Sequence, residues 1–259
     1  MELAFDLALV ETTMLASVRL VAFLVVAPPF HLRSFPGPVK VALGLGLAVA
    51  SQPRVEAAST VPAGAMLEAN AWMIVGALVL QAVIGLALGF IVRMVFAAVQ
   101  AAGSLIDVFG GFELAQGFDP VSGSQGAVFS RFYYMAALAL LFASDGYQVV
   151  LYGAVRSFEA FPLGTGLDTD GLGSLMAGGL TDLMVSALQI AGPLVVVLFL
   201  ADVGLGLLTR VAPALNAFAL GFPLKILITL ALGSVAFLAL PQVISALTDK
   251  AFSLITAGG

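Results

Sequence analysis

The chain has 259 residues, 61% of them hydrophobic and only 10% charged, with a mean hydropathy of +1.12 and a formal net charge of −5. A soluble domain carries about 25% charged residues, so most of this surface must face lipid or other protein, and the chain reads as an integral membrane protein. The absence of Cys excludes disulfides and thiolate chemistry, a lone His31 excludes paired-His metal sites, and the acidic balance leaves nucleic acid no basic footprint.

The elements follow in chain order. A cleavable signal peptide begins with positive charge, whereas Glu2, Asp6 and Glu11 are acidic, so the first apolar run is expected to be retained. That run covers about Met14–Ala27, is interrupted by Arg19 and stops at Pro28-Pro29. Val41–Ala50 is short for a span unless it extends backward through Phe35-Pro36-Gly37-Pro38. Ala69–Val92 is the strongest apolar run, and its helix is expected to continue past Arg93 to Ala98. From Gly103 to Ser130 the pattern turns glycine-punctuated, acidic and aromatic, which predicts a loop. Helices are expected over about Arg131–Ala143 and Tyr147–Phe161, then a second glycine-rich loop over Leu163–Thr181. Leu183–Leu208 and Phe218–Leu240 are the last long runs. These observations predict an all-α, multi-pass protein of six to seven hydrophobic helices, several short or kinked, in one domain.

Charges inside such runs are costly and usually face protein or a wet cavity. Arg93, Arg131 and Arg210 can equally snorkel from helix ends. Asp202 and Lys225 are flanked by apolar residues on both sides, so a structural ion pair, either with each other or between Asp202 and Arg210, competes with a proton relay. Pro193, Pro213, Pro223 and Pro241 predict kinks in the C-terminal third, and Gly85–Gly89 and Gly204–Gly206 are close-packing sites for helices. Catalytic signatures are missing. Pro120-Val121-Ser122-Gly123 fails the GxSG pattern of an intramembrane protease, no GxGD occurs, and no phosphate-binding loop is present. The chain is expected to be no enzyme, with no cofactor or metal.

Gly103-Ser104-Leu105-Ile106-Asp107, Gly110-Gly111-Phe112, Phe118-Asp119-Pro120 and Leu141-Phe142-Ala143-Ser144-Asp145-Gly146 resemble the central part of the FliR/SctT family of export-gate proteins. The resemblance continues through Ser157–Pro162 and Ala191-Gly192-Pro193. It is most specific in Asp202-Val203-Gly204-Leu205-Gly206-Leu207-Leu208-Thr209-Arg210, Ala212-Pro213, Asn216-Ala217-Phe218 and Pro223-Leu224-Lys225. Two departures are Ala214 or Leu215, where the family often has Gln, and Tyr147, where many members have His.

The resemblance implies a subunit of a hetero-oligomeric helical gate in the bacterial inner membrane, at the flagellar basal body. Its partners would be FliP-like and FliQ-like subunits together with FlhA- and FlhB-like proteins, and unfolded flagellar proteins would pass through it. Residues 1–180 would form a FliP-like part and 181–259 a FliQ-like part. The resemblance also implies a pore plug on the loop carrying Phe109, Gly110, Gly111, Phe112, Gly117 and Phe118. Aromatic side chains there can exclude water, and the glycines can give backbone freedom. The competing reading packs these Phe side chains into a helix interface. An injectisome gate of the SctT type and a secondary transporter using Asp202 and Lys225 are the alternative functions. A transporter would be expected to show internal repeats, and none aligns.

Overall fold

The structure is a computed structural model, and it describes residues 7–32, 34–59, 71–112, 128–165, 169–212 and 217–257. Among the described residues the secondary structure is entirely helical, in seven α-helices. These are α1 (Leu7–Val26), α2 (Gly37–Ala58), α3 (Ala71–Gly110), α4 (Val128–Ala143), α5 (Gly146–Ala160), α6 (Thr169–Val211) and α7 (Ala217–Ala257).

Each helix follows from local chemistry, with instructive differences from expectation. α1 is free of Gly and Pro and ends just before Pro28-Pro29, which cannot continue the ladder. α2 begins at Gly37 with Pro38 in its first turn, where a missing N–H costs nothing, and runs forward through Pro53 to Ala58. α4 and α5 are separated by the turn Ser144-Asp145, where Asp145 takes a left-handed φ of +54°. Asp tolerates that conformation better than most residues.

Two stretches expected as loops are helical instead. Residues 103–110 extend α3 to 40 residues, and Thr169 opens α6 through Gly171, Gly173, Gly178 and Gly179. Glycine disfavours helix in water, but an apolar setting leaves backbone groups no partner other than the helix itself. At Gly179 the space of a side chain is taken by the Met94 methyl group, 2.6 Å from where a Cβ would stand.

Three described helices are long and apolar enough to cross a membrane: Leu9–Val26, Ala71–Gly110 and Met176–Val211. The bent pair α4–α5 makes a fourth if it is a single broken span. The residues divide into two compact units. The first comprises Met1–Val95, Asp145–Gly179 and Leu247–Gly259, and the second Phe96–Ser144 and Leu180–Ala246. In the first unit, α1 packs on α2 and α5 through a stripe of Leu15, Ala16, Leu20, Phe23 and Leu24, spaced at helical period. The second unit buries Ile106, Tyr133, Ala137, Leu141 and Leu198.

Candidate functional site

Asp202 and Lys225 come together in the second unit. The Lys225 ammonium donates to the Asp202 carboxylate, with Nζ 2.6 Å from one oxygen and 2.7 Å from the other. Their neighbours along the two helices, Phe199, Leu200, Val203, Leu207, Leu227 and Leu230, are exposed. An ion pair is thus set in an otherwise apolar outer surface. Arg210 stands exposed in the last turn of α6, where a cation suits the helix C-terminus. Gly204 and Gly206 have no atom of this chain within 4 Å of where a Cβ would stand.

Lys225 leads directly to the end of α3. One turn on, the fully buried Thr229 donates to the Lys225 carbonyl at 2.8 Å, and its hydroxyl lies 3.0 Å from the Cβ position of Gly110. Gly111 then takes a φ of +80°, which an L side chain would adopt only with strain, and faces the Phe222 ring. Phe112 meets Phe129 edge to face, with ring centroids 5.1 Å apart. Of the expected plug residues, Phe109 and Gly110 therefore sit in the last turn of a helix, Gly111 is a turn, and Gly117 and Phe118 lie outside the described residues. Beneath this point Asp107 is completely buried, and its carboxylate accepts the N–H groups of Phe129 at 3.0 Å and Ser130 at 2.9 Å.

A second buried charge occupies the first unit. Arg19 is 1% exposed and is held by neutral groups. Its Nε donates to Gln81 Oε1 at 2.7 Å, one terminal nitrogen to the Ser157 carbonyl at 3.2 Å and the other to the Phe161 carbonyl at 2.8 Å. Its guanidinium also lies 4.1 Å from the Phe158 ring centroid. Two of these acceptors close the C-terminal turn of α5, the negative end of a helix dipole. Above Arg19 the backbones of α1 and α3 touch. A Cβ at Gly85 would collide with the Arg19 carbonyl, and one at Gly89 would stand 2.8 Å from the Phe23 carbonyl.

Residues 10–251 match the bacterial export proteins, family 1, nearly the whole length of the chain. The chain belongs to that family. Among curated relatives, the flagellar biosynthetic protein FliR of Bacillus subtilis (strain 168) is 32% identical over 222 residues, 83% of this chain and 82% of that protein. The protein of the same name from Escherichia coli (strain K12) is 32% identical over 239 residues, 92% and 87% of the two chains. The surface presentation of antigens protein SpaR of Shigella flexneri is 29% identical over 150 residues, 58% of each.

In this export-family chain, sequence reasoning passed over Arg19 as an interruption and did not single out Asp107 for a role of its own. A signal existed for both. Arg19 falls on the stripe of Leu15, Leu20 and Phe23, and Asp107 falls one helical turn from Gly103 and beside Ile106, so each charge lies on a face that the pattern marks as inward.

Proposed function

We propose that this protein is the FliR-type subunit of a flagellar type III export gate, passing unfolded flagellar subunits across the inner membrane. Its partners are FliP-like and FliQ-like subunits, with FlhA- and FlhB-like proteins alongside, and its own work is structural rather than enzymatic. The observation that carries this is the family match over residues 10–251, joined to FliR relatives that align over most of their own length. The flagellar reading is preferred to the injectisome one because the FliR proteins of Bacillus subtilis and Escherichia coli align over 83% and 92% of the chain, against 58% for SpaR of Shigella flexneri.

The helix lengths support a protein-covered subunit. α3, α6 and α7 hold 40, 43 and 41 residues. A 40-residue helix is about 60 Å long, twice the hydrocarbon core of about 30 Å. Tilting such a helix by 40° still leaves about 46 Å along the normal. Apolar surface beyond that depth needs cover from other subunits, as does the exposed face around Asp202 and Lys225. In this reading residues 1–180 act as the FliP-like part and 181–259 as the FliQ-like part, with Gly204 and Gly206 open to a partner helix. The segment from Phe109 through Phe118 acts as the plug.

The test is a gentle-detergent purification of the tagged chain from its native host, with mass spectrometry of what copurifies. One large complex containing FliP- and FliQ-like subunits is the expected result. A monomer or homodimer without them would overturn the reading and favour a solute transporter.

A further inference from the structure

The C-terminal half of α2 carries a cluster of charge that has no part in the proposed gate. All of its residues belong to the first unit. Where α2 packs on α5, a groove of about 390 Å³ opens between them, within the size range of small-ligand sites. Leu47, Ala50, Pro53 and Val155 form its apolar wall, and Ser51 and Arg54 supply the polar lining. The buried Ser51 hydroxyl donates to the Ala48 carbonyl, which leaves Arg54 as the donor of the lining.

Arg54 has a second arginine close by. Its guanidinium lies over the Tyr152 ring, 5.4 Å from the centroid, and that of Arg156 lies 5.9 Å from the Phe252 centroid. Tyr152 and Phe252 stack on each other with centroids 6.0 Å apart. Both arginines reach the same carboxylate, that of Glu159, at 3.9 Å from Arg54 and 3.0 Å from Arg156. Among the described residues no second carboxylate pairs with either. Glu56 stands about 200° round α2 from Arg54 and accepts from Gln52. The cluster therefore keeps an unmatched positive charge, on arginine side chains 44% and 39% exposed.

The surface leading to this charge is apolar and of limited length. Val41, Leu45, Val49 and Pro53 repeat at four-residue spacing and so form one row on α2. The first three are about half exposed. From Val41 to Pro53 the row rises about 18 Å, close to the roughly 15 Å of one leaflet's hydrocarbon. Arginine suits phosphate, and an exposed Tyr suits the headgroup layer. A packed partner helix calls for small residues along such a row, whereas Val41, Leu45 and Val49 are bulky.

We propose that the α2–α5 groove binds an anionic phospholipid, with its phosphate held by Arg54 and Arg156 and an acyl chain along the Val41–Val49 row. The assignment does not depend on the export role.

Native mass spectrometry of the full chain in mild detergent tests this, with phosphatidylglycerol titrated against phosphatidylcholine of the same acyl chains. Phosphatidylglycerol is expected to bind about tenfold more tightly. Arg54→Gln/Arg156→Gln should erase that preference, and Arg54→Lys/Arg156→Lys should keep part of it. Arg131→Gln, an exposed arginine on α4, should leave it intact. Ala50→Phe fills the groove with both arginines in place and should weaken phosphatidylglycerol binding.

Equal affinity for the two lipids overturns the proposal. So does a preference that survives Arg54→Gln/Arg156→Gln, or full binding in Ala50→Phe. Glycerol phosphate, which lacks acyl chains, should fail to compete at matched concentration; full competition would make the ligand a free phosphate and overturn the lipid. The complex from the native host should retain phospholipid. No retained phospholipid, together with loss of a subunit in Arg54→Gln/Arg156→Gln, would assign the arginines to a protein carboxylate and overturn the proposal.

Discussion

One ammonium on α7, that of Lys225, is shared by both oxygens of one carboxylate on α6, that of Asp202, and the pair sits among exposed Phe, Leu and Val side chains. In water such a pair contributes about 1 kcal/mol or less, since solvent screens it. Covered by apolar groups, each charge would depend on the other, and removing one partner would leave an uncompensated ion. Asp202→Lys or Lys225→Asp alone is therefore expected to lower the yield of assembled gate about tenfold. The double exchange should recover part of that yield. Quantifying copurified subunits checks this, and a double variant as defective as the two singles combined would remove the pair from any role in assembly.

Arg19 offers a test of internal stability. Its planar fork serves Gln81, Ser157 and Phe161 at once, and a lysine ammonium cannot reach all three. Arg19→Lys is expected to cost about 2 kcal/mol, and Arg19→Met more, because buried acceptors are then left unmade. Thermal unfolding of the detergent-solubilised chain reads the difference. Equal midpoints for wild type and Arg19→Met would show that the acceptors find other partners.

Two glycines of α3 should respond oppositely to the same change. Gly76 has open space where a Cβ would stand, so Gly76→Ala should stabilise the helix by about 0.5–1 kcal/mol. Gly85 abuts the Arg19 carbonyl, so Gly85→Ala must push α1 away and destabilise the chain. The same thermal assay compares them. A neutral Gly85→Ala would contradict the close approach of α1 and α3.

His31, in the turn after α1, has its pKa lowered from the ordinary 6.5 by burial first, and then by the positive charges of Arg93 and Lys40. The folded chain thus binds this proton less readily than the unfolded one. His31 therefore contributes stability that is fully present above 6.5 and is lost as pH falls through 6.5 toward its lower folded value. Wild type should lose stability between about pH 7.5 and 5.5, and His31→Gln should lose less across the same range. Parallel slopes for the two proteins would assign the acid sensitivity elsewhere.

Phe112 and Phe118 test the plug directly. On the proposed plug role, replacing both with Ala is expected to raise ion leak through the assembled gate several-fold. Subunit composition should be unchanged. Conductance of reconstituted complexes is the measurement, and an unaltered leak in a complete complex counts against gating by these rings.

Composition alone determined that this is a membrane protein, because hydropathy is a local property and too few charges remain to cover a water-facing surface. The apolar runs also located the long helices, and the isolation of Asp202 and Lys225 within them already suggested a mutual partner. Glycine was the point at which the sequence became ambiguous. Gly103, Gly110 and Gly179 read as loop residues, yet they lie in helices, and at Gly103 the backbone of Phe129 and Ser130 comes too close for a Cβ. A glycine chosen for a turn and one chosen for contact look identical until the neighbour is in place. The same holds for the buried charges. Arg19 and Asp107 lie on inward-facing stripes that the sequence displays, but their counter-charges are the ends of helices α5 and α4, far along the chain. A helix end becomes a counter-ion only through where the fold puts it, so only the tertiary structure decided those partners.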